Sequence, residues 1–499
     1  MLLFLMALLS AFAAPIDDVE NLVAEPRVAG SLGGIKAQTY VHIQLVKQGW
    51  NVEINTLPHG GGYVRACQKG EGPAFWILAH TDTVGEGVPG AVDNAAAVAV
   101  ALEVARQVRG MILPVRACFA FPDGEEVGLV GSRTLVRRLG DSERPAFVIS
   151  LELLGQGELT AMGLGKHWGA DGLSWLQGIG GVDIPFAYRV YSLLFPSLER
   201  SDHRPFAEDG IRAMMLLGRG ESGVYWAYHT PKDDLSQVSE KALDDAVNVL
   251  MRMLEKGPPA GAGDLAVAIP WLPLVLPEIL VWIGIGLGVL GGFLFGLRSW
   301  RTAIGALAWA GLAGFLAGLA VMATSFGRPT HGALASVSSW VWILVFFWVV
   351  LSSAFKEDGL ASGALVCAWL AVGFCAIHPL LALPWAVSGL ALVLSSRFWP
   401  LMLLALPFPL YVISGDLWRE LVFHGVIPEN PLWWMPVKIL VMWPVVCVCS
   451  ALRPMRGLMS HVAFGLVLLT LACLLFLSEP FSGNFFEREV TSTPRLVVK

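Results

Sequence analysis

The fold is decided by the stretch Ala117-Cys118-Phe119-Ala120-Phe121-Pro122-Asp123-Gly124-Glu125-Glu126-Val127-Gly128-Leu129-Val130-Gly131-Ser132. An apolar run typical of a buried strand ends at two adjacent carboxylates, and a glycine-rich turn and the start of a helix come next. Successive side chains on an extended chain point to opposite sides. We therefore expect one glutamate to bind a metal ion while its neighbour reaches toward a water molecule.

The same pattern recurs at other points of the chain, where polar residues follow apolar, strand-like runs. The residues concerned are His80 and Asp82, Asp93, Glu152, and His229. In an open α/β sheet, sites form just past the carboxyl ends of the strands. The sequence therefore predicts that these side chains meet at one edge of a sheet.

Residues 15–256 alternate between strand and helix patterns. We expect strands at 52–54, 74–79, 115–121 and 146–151, and helices at 35–46, 93–108, 132–139 and 243–254. This order predicts an α/β fold with a mostly parallel central sheet flanked by helices. Within it, Trp168, Trp175 and Trp226 are expected to pack in the core, with an apolar substrate pocket as the alternative.

The composition indicates a large membrane part. Of 499 residues, 55% are hydrophobic and 15% are charged, and the mean hydropathy is +0.62. These values are too apolar for a purely soluble protein. The net charge of -6 and the absence of any lysine- or arginine-rich run give no support for nucleic-acid binding.

Residues 1–14 are apolar and end in small residues, which predicts a signal peptide or a short anchor and hence export of the residues after them. No Asn-x-Ser/Thr site occurs in the chain, which favours a bacterial envelope over a eukaryotic secretory pathway. Cys67 and Cys118 precede the apolar region, and both a disulfide and two reduced, buried thiols remain open for them.

Residues 257–273 are predicted to be a linker, residues 274–478 a transmembrane helix domain, and residues 479–499 a C-terminal tail. A crossing needs ~20 apolar residues. We count about eight apolar segments, at 274–297, 302–324, 334–354, 359–378, 379–396, 399–414, 434–452 and 458–478. Basic residues concentrate in alternate loops, which predicts eight spans with the catalytic domain outside the cytoplasm.

The polar residues at the strand ends suit a zinc centre, because zinc takes His, Asp and Glu ligands. Two zinc ions ~3.5–4 Å apart need a bridging carboxylate. We assign His80, Glu126, Glu152 and His229 as terminal ligands and Asp93 as the bridge, so that one or two ions bind and two are favoured. Glu125 is then the general base.

Two further assignments concern residues near these ligands. Asp82 is expected to orient His80 through the other imidazole nitrogen. Asp202 and His203, within Ser201–Phe206, are candidates for substrate binding or for support of the ligands, with a plain loop turn as the alternative.

These residues and motifs resemble the co-catalytic zinc aminopeptidases, the family of bacterial leucyl aminopeptidase and aminopeptidase Y that also includes glutaminyl cyclases. The resemblance rests on 80–82, 89–94, 125–132, 201–203 and 229–234. It implies His80, Asp93, Glu126 and His229 as zinc ligands, Glu125 as general base and Asp82 as the orienting residue. The family usually has Asp at the position of Glu152.

The resemblance implies a membrane-anchored zinc aminopeptidase that takes peptide substrates. An exported peptidase followed by several spans is similar to endoplasmic-reticulum metallopeptidase and vacuolar membrane protease. The alternatives are a glutaminyl cyclase that forms N-terminal pyroglutamate, and a non-catalytic receptor on a peptidase fold. The expected partners are peptides and membrane lipid, with the catalytic domain on the periplasmic or luminal side.

Overall fold

The computed structural model describes residues 14–57, 60–140, 143–165, 167–194, 196, 200–219, 225, 227–260, 265–268, 274–305, 307 and 359–395. The chain divides into two compact units between Val275 and Leu276. The predicted signal segment apart from Ala14, the C-terminal tail, the spans at 334–354, 399–414, 434–452 and 458–478, and most of 302–324 lie outside the described residues.

The first unit combines helices with a sheet. Its helices are α1 Pro15–Val23, α2 Leu32–Lys47, α3 Ala96–Val108, α4 Val130–Arg138, α5 Ala170–Ile179, α6 Phe186–Leu194, α7 Arg204–Glu208 and α8 Glu240–Lys256. Its strands are β1 Val52–Asn55, β2 Tyr63–Cys67, β3 Ala74–Leu78, β4 Arg116–Pro122, β5 Phe147–Glu152, β6 Glu158–Met162, β7 Val182–Asp183 and β8 Ala213–Arg219. Two further short strands, β9 Val267–Ala268 and β10 Val275–Leu276, form a separate two-stranded sheet.

The main sheet has the strand order β1-β2-β4-β3-β5-β8-β6-β7. Its centre, β4-β3-β5-β8, is parallel, whereas β1–β2, β2–β4 and β6–β8 pair antiparallel. Strands β6 and β7 also pair in parallel, so four of the seven strand pairs are parallel. The prediction of a mostly parallel sheet is confirmed in part, because the sheet as a whole is mixed. Strands β3 and β5 are buried along their whole length, as expected of central parallel strands.

The core between sheet and helices contains the aromatic cluster around Phe147. Phe75, Trp168 and Trp175 contact Phe147 edge-on, with ring centroids 4.8, 5.6 and 5.5 Å away. Both indole nitrogens donate to backbone carbonyls, that of Trp168 to Ala213 and that of Trp175 to Gly257. These two tryptophans are therefore core residues, while Trp226 lies outside the described residues.

The alanine-rich helix begins later than its sequence predicts. A helix starting at Asp93 was expected, but α3 begins at Ala96, and Asp93 and Asn94 have non-helical backbone angles. The Asn94 amide donates to the Leu151 carbonyl at 2.7 Å. This irregular turn directs Asp93 away from the helix and toward the ends of the strands.

A disulfide joins Cys67 and Cys118. The two cysteines are direct partners across the antiparallel pair β2–β4. The sequence left a disulfide and two reduced thiols open, and the structure has the disulfide. This bond fixes β2 to β4, the strand that leads into Glu125 and Glu126.

The second unit, in its described part, contains three apolar helices: α9 Glu278–Gly296, α10 Gly359–Cys375 and α11 Pro379–Ser395. Within the described residues, one continuous helical segment, Glu278–Gly305, is long and apolar enough to cross a membrane, and two shorter apolar helices accompany it. A Cβ added to Gly288 or Gly292 of α9 would collide with backbone atoms of Ala386 or Ala364. The glycines therefore permit close helix packing, as small residues do between membrane helices.

Candidate metal centre

The side chain of Asp93 lies between two histidines. Its Oδ1 is 3.3 Å from His80 Nε2, and its Oδ2 is 3.3 Å from His229 Nε2. Each imidazole has a second carboxylate beside it, since His80 Nε2 is 3.4 Å from Glu152 Oε2 and His229 Nε2 is 3.2 Å from Glu126 Oε2. Each histidine thus faces two carboxylates, and Asp93 is common to the two groups. Across the groups, His80, Asp93 and Glu126 each have a ligand atom within 4.8 Å of the others.

We call these groups the first half-site (His80, Glu152 and Asp93 Oδ1) and the second half-site (His229, Glu126 and Asp93 Oδ2). Tetrahedral ligand atoms ~2.0–2.1 Å from one zinc ion are about 3.3–3.4 Å from each other. The observed separations of 3.2 to 3.4 Å fit that spacing. In addition, His229 Nε2 is buried between these two carboxylates and does not meet the geometry of a hydrogen bond with either of them. The donor set therefore fits zinc.

The tautomer of His80 follows from its surroundings. Its Nδ1 lies 3.1 Å from the backbone oxygen of Asp82 and 3.5 Å from Asp82 Oδ1. Both neighbours are acceptors, so Nδ1 carries a hydrogen. Nε2, which faces Asp93 and Glu152, is the nitrogen at which a metal ion would replace a proton. The Asp82 carboxylate also accepts the backbone N–H groups of Glu125 and Glu126, each at 3.1 Å. Asp82 thus links His80 to the Glu-Glu turn.

The backbone at Asp93 is held by Asp233, which the sequence did not single out as a site residue. Its carboxylate accepts the N–H groups of Val92 at 2.8 Å and Asp93 at 3.1 Å. The Tyr225 hydroxyl donates to the same carboxylate at 2.8 Å. Asp233 lies four residues after His229, so one short loop contains both the predicted ligand His229 and the carboxylate that holds the backbone of Asp93.

Carboxylates dominate the electrostatics of the centre. Burial lowers the pKa of His229, but contacts with Asp93 and Glu126 outweigh it and raise that pKa to about 10. Desolvation raises the pKa of Glu126 to about 7, and the charge of Asp93 adds to the effect while His229 opposes it. The raised pKa of His229, and the part of the Glu126 shift that comes from Asp93, mark a concentration of negative charge that favours binding of a cation.

Glu125 lies beside the two half-sites. Desolvation raises the pKa of its carboxyl well above the usual range; His80 opposes the shift, while the charges of Glu152, Glu126 and Asp202 add to it. A carboxylate with a raised pKa accepts and returns a proton near neutral pH more readily than an ordinary glutamate. Its neighbours and its acidity suit the role of general base.

Asp202 and His203 differ in their relation to the centre. Asp202 is fully buried, and desolvation raises its pKa to about 7 within the field of His80 and Glu152. His203 is also buried, and its ring lies against the Cα of Gly163, where a side chain would collide with it. Asp202 therefore lies within electrostatic reach of the half-sites, whereas His203 packs against the β6 end.

Arg27 is a buried residue of the centre that sequence reasoning missed. Its side chain donates to four backbone oxygens, those of Thr81 (2.9 Å), Leu22 (2.9 Å), Pro89 (2.8 Å) and Gly90 (2.8 Å). Burial lowers its pKa to about 10, with the aspartates of the site opposing the shift, so it is charged at neutral pH. It ties α1 to the loops that carry His80 and Asp93. A lone arginine in a loop offers no sequence signal for this role.

Comparison with known proteins finds a family whose sequence profile matches the segment that carries these residues. Residues 64–254 match the sequence profile of peptidase family M28. Aminopeptidase YwaD of Bacillus subtilis (strain 168) is 31% identical over 176 residues, which are 34% of this chain. The match spans only 38% of the length of that relative.

Solved structures that match part of the chain include an aminopeptidase and a glutaminyl cyclase. An aminopeptidase from Aneurinibacillus sp. strain AM-1 has 18% sequence identity and a TM-score of 0.40, over 51% of this chain and 96% of that one. A glutaminyl cyclase from Bacteroides thetaiotaomicron, bound to N-acetylhistamine, has 17% identity and a TM-score of 0.41, over 49% and 97% of the two chains. Residues 64–254 of this chain are thus similar in sequence to peptidase family M28.

Proposed function

We propose that this protein is a membrane-anchored zinc aminopeptidase that removes N-terminal residues from peptides. The observation that carries the proposal is the position of Asp93, which lies 3.3 Å from each of two histidines that belong to separate three-ligand groups. The M28 match supports peptide hydrolysis, and the name of the Bacillus relative supports the choice of aminopeptidase.

Two zinc ions are proposed, one in each half-site. Bound there, zinc would supply Lewis-acid activation of water and of the scissile carbonyl. Glu125 removes a proton from the attacking water and returns it to the leaving amine. The carboxylates around the half-sites attract the positively charged amino terminus of a peptide, and Asp82 keeps the His80 ring and the Glu125 backbone in place.

Membrane anchoring and an extracytoplasmic position of the catalytic unit belong to the same proposal. The helical segment Glu278–Gly305 and the shorter apolar helices support anchoring. The Cys67–Cys118 disulfide supports an oxidising compartment, because such bonds are rare in the cytosol. Fractionation of cells that express the full chain, followed by protease treatment of intact spheroplasts, tests both. A catalytic unit that is recovered in the cytosol contradicts them.

The activity is tested with Glu125→Gln, which keeps the size of the side chain and removes its basicity. Turnover of amino-acid anilides should fall by about 10²–10⁴-fold, while zinc content stays unchanged because Glu125 is not assigned as a ligand. Near wild-type turnover contradicts the assignment of the base. Mass spectrometry of a peptide with N-terminal glutamine separates the reactions, since a shortened peptide indicates a peptidase and loss of ammonia a cyclase.

A further inference from the structure

Helix α2 has apolar side chains on two opposite faces. Its inner face is buried in the core of the first unit through Ala37, Val41 and Leu45. Four large apolar residues of its outer face are between 44% and 68% exposed: Leu32, Ile35, Ile43 and Val46. We call these four residues the α2 stripe. With the exposed Thr39 between them they recur every three or four residues, so they lie along one side of the helix.

Helix α8 shows the usual arrangement for a surface helix of the same unit. Its inner face is buried through Leu243, Val247 and Leu250. Its outer face has exposed charged residues: Glu240, Lys241, Asp244 and Asp245. A helix that is apolar on both faces is normally covered on both, and exposed apolar patches mark interaction sites. The α2 stripe therefore indicates a surface that another body covers.

The charges of α2 indicate what that body is. The helix contains Lys36 and Lys47, both exposed, and no aspartate or glutamate, whereas the whole chain has a net charge of -6. Glu25, which precedes the helix, forms an ion pair of 2.5 Å with Lys36. Lys47 therefore supplies the net positive charge beside the stripe, which complements an anionic surface.

The loop after α3 repeats this combination next to the C-terminal end of α2. The Arg109 guanidinium donates to the Gly49 carbonyl at 2.7 Å, two residues after the helix ends. Ile112, three residues after Arg109, is fully exposed. An exposed isoleucine close to a basic residue thus occurs both on α2 and in the loop beside it.

A lipid bilayer fits these features better than a second copy of the chain does. Helices that lie in the plane of a membrane surface combine large apolar side chains with lysine or arginine. In a symmetric dimer the same patch would face itself, so the lysines of one α2 would face those of the other. The apolar segment Glu278–Gly305 supports the presence of a bilayer next to this chain.

We infer that the outer face of α2 docks on the surface of an anionic lipid bilayer, with the α2 stripe among the lipids and Lys47 at the headgroups. This inference rests on the membrane anchoring in the proposed function, and it depends neither on zinc nor on the reaction. It gives the first unit a membrane contact of its own, in addition to the apolar helices of the second unit.

The test uses the full chain with the photo-crosslinking residue benzoylphenylalanine in place of Ile43. The chain is reconstituted in vesicles of phosphatidylcholine, with and without phosphatidylglycerol. Mass spectrometry after illumination should find lipid attached at this position, with the higher yield in vesicles that contain phosphatidylglycerol. The matched control has benzoylphenylalanine in place of Lys241, on the charged face of α8, and should give little lipid adduct.

A second variant tests the charge of α2. Lys47→Ala, added to the chain labelled at position 43, should lower the yield in phosphatidylglycerol vesicles by up to about fivefold, the contribution of one lysine near an anionic surface. In phosphatidylcholine alone the same change should leave the yield as it was. Equal yields from the two kinds of vesicle would overturn the assignment of an anionic surface.

The outcomes separate this inference from the proposed function. A crosslink from position 43 to a second copy of the chain, or a lipid yield no higher than that of the control, overturns the inference and leaves the zinc aminopeptidase standing. A chain that does not enter vesicles overturns the membrane anchoring, and this inference with it. Zinc content, measured on the same samples, reports separately on the metal centre.

Discussion

The two half-sites use the same ligand types but differ in how the protein supports them. In the first, His80 and Glu152 follow buried parallel strands, and each has hydrogen-bond partners on its far side. In the second, His229 lies in a loop with a positive φ of 56° and its side chain is 21% exposed, compared with 1% for His80. Ligand identity alone therefore does not set the properties of a metal position, and we expect tighter, slower-exchanging zinc in the first half-site.

The largest expected effect comes from Asp93, the carboxylate that both half-sites share. Asp93→Ala should weaken zinc binding at both positions by more than about 100-fold, because a direct ligand matters more than its outer partners. Zinc content after dialysis checks this. Asp244→Ala, which removes an exposed acid from α8, serves as the control, and a variant that loses zinc from one position only contradicts the bridging role.

Arg27 offers a way to disturb one half-site more than the other. Its hydrogen bonds hold the loops at Thr81 and Gly90, next to His80 and Asp93 in the chain. Arg27→Lys keeps the charge and loses several hydrogen bonds, so the free energy of unfolding should fall by about 2–5 kcal/mol. In the folded protein, the first half-site should lose more zinc affinity than the second. Urea unfolding measures the loss of stability, and chelator competition measures the loss of zinc affinity at each half-site. A larger loss of affinity at the second half-site than at the first would contradict this prediction.

The smallest effect is expected at Tyr228, whose ring stacks on a ligand of the second half-site. The centroids of the Tyr228 and His229 rings are 3.7 Å apart, and their planes are 22° from parallel. Such a contact contributes about 0.5–1.5 kcal/mol, so Tyr228→Ala should weaken zinc there by about 2–10-fold. Tyr228→Phe keeps the stacked ring and should weaken zinc binding less than Tyr228→Ala does. Weaker zinc binding at the first half-site in Tyr228→Ala would show that the protein does not support the two half-sites independently.

The proposed ligands His80, Glu126 and Glu152 could be predicted from sequence because they come at or near the ends of strand-like runs, and strand ends are a local signal. The structure brings His80, Asp93, Glu126, Glu152 and His229 together as that signal predicts. The supports could not be predicted in the same way. The contacts of Arg27 with Thr81 and Gly90 join residues 54 and 63 positions apart, and that of Ser201 with Glu152 joins residues 49 apart.

The same distinction holds for the fold: parts that depend on local sequence could be predicted, and parts that depend on distant contacts could not. The buried runs of β3, β4 and β5 predicted the parallel centre. Strands β2, β6, β7 and β8 were not predicted, although β8 belongs to the parallel centre, because pairing with neighbouring strands rather than their own composition makes them strands. Asp93 was assigned to a helix since the alanine run after it has a helical pattern, and only its contacts with distant groups, such as the bond from its N–H to Asp233, reveal the turn.

The central claim is that the residues around Asp93 form two metal positions. The zinc content of the purified full-length parent chain and of its two histidine variants tests this claim most directly. Elemental analysis at equal protein concentration should find two zinc ions in the parent chain, one in His80→Ala and one in His229→Ala, with the ion of His80→Ala released first as chelator is added. A parent chain with no zinc, or histidine variants that keep both ions, would contradict the assignment of two half-sites that share one carboxylate.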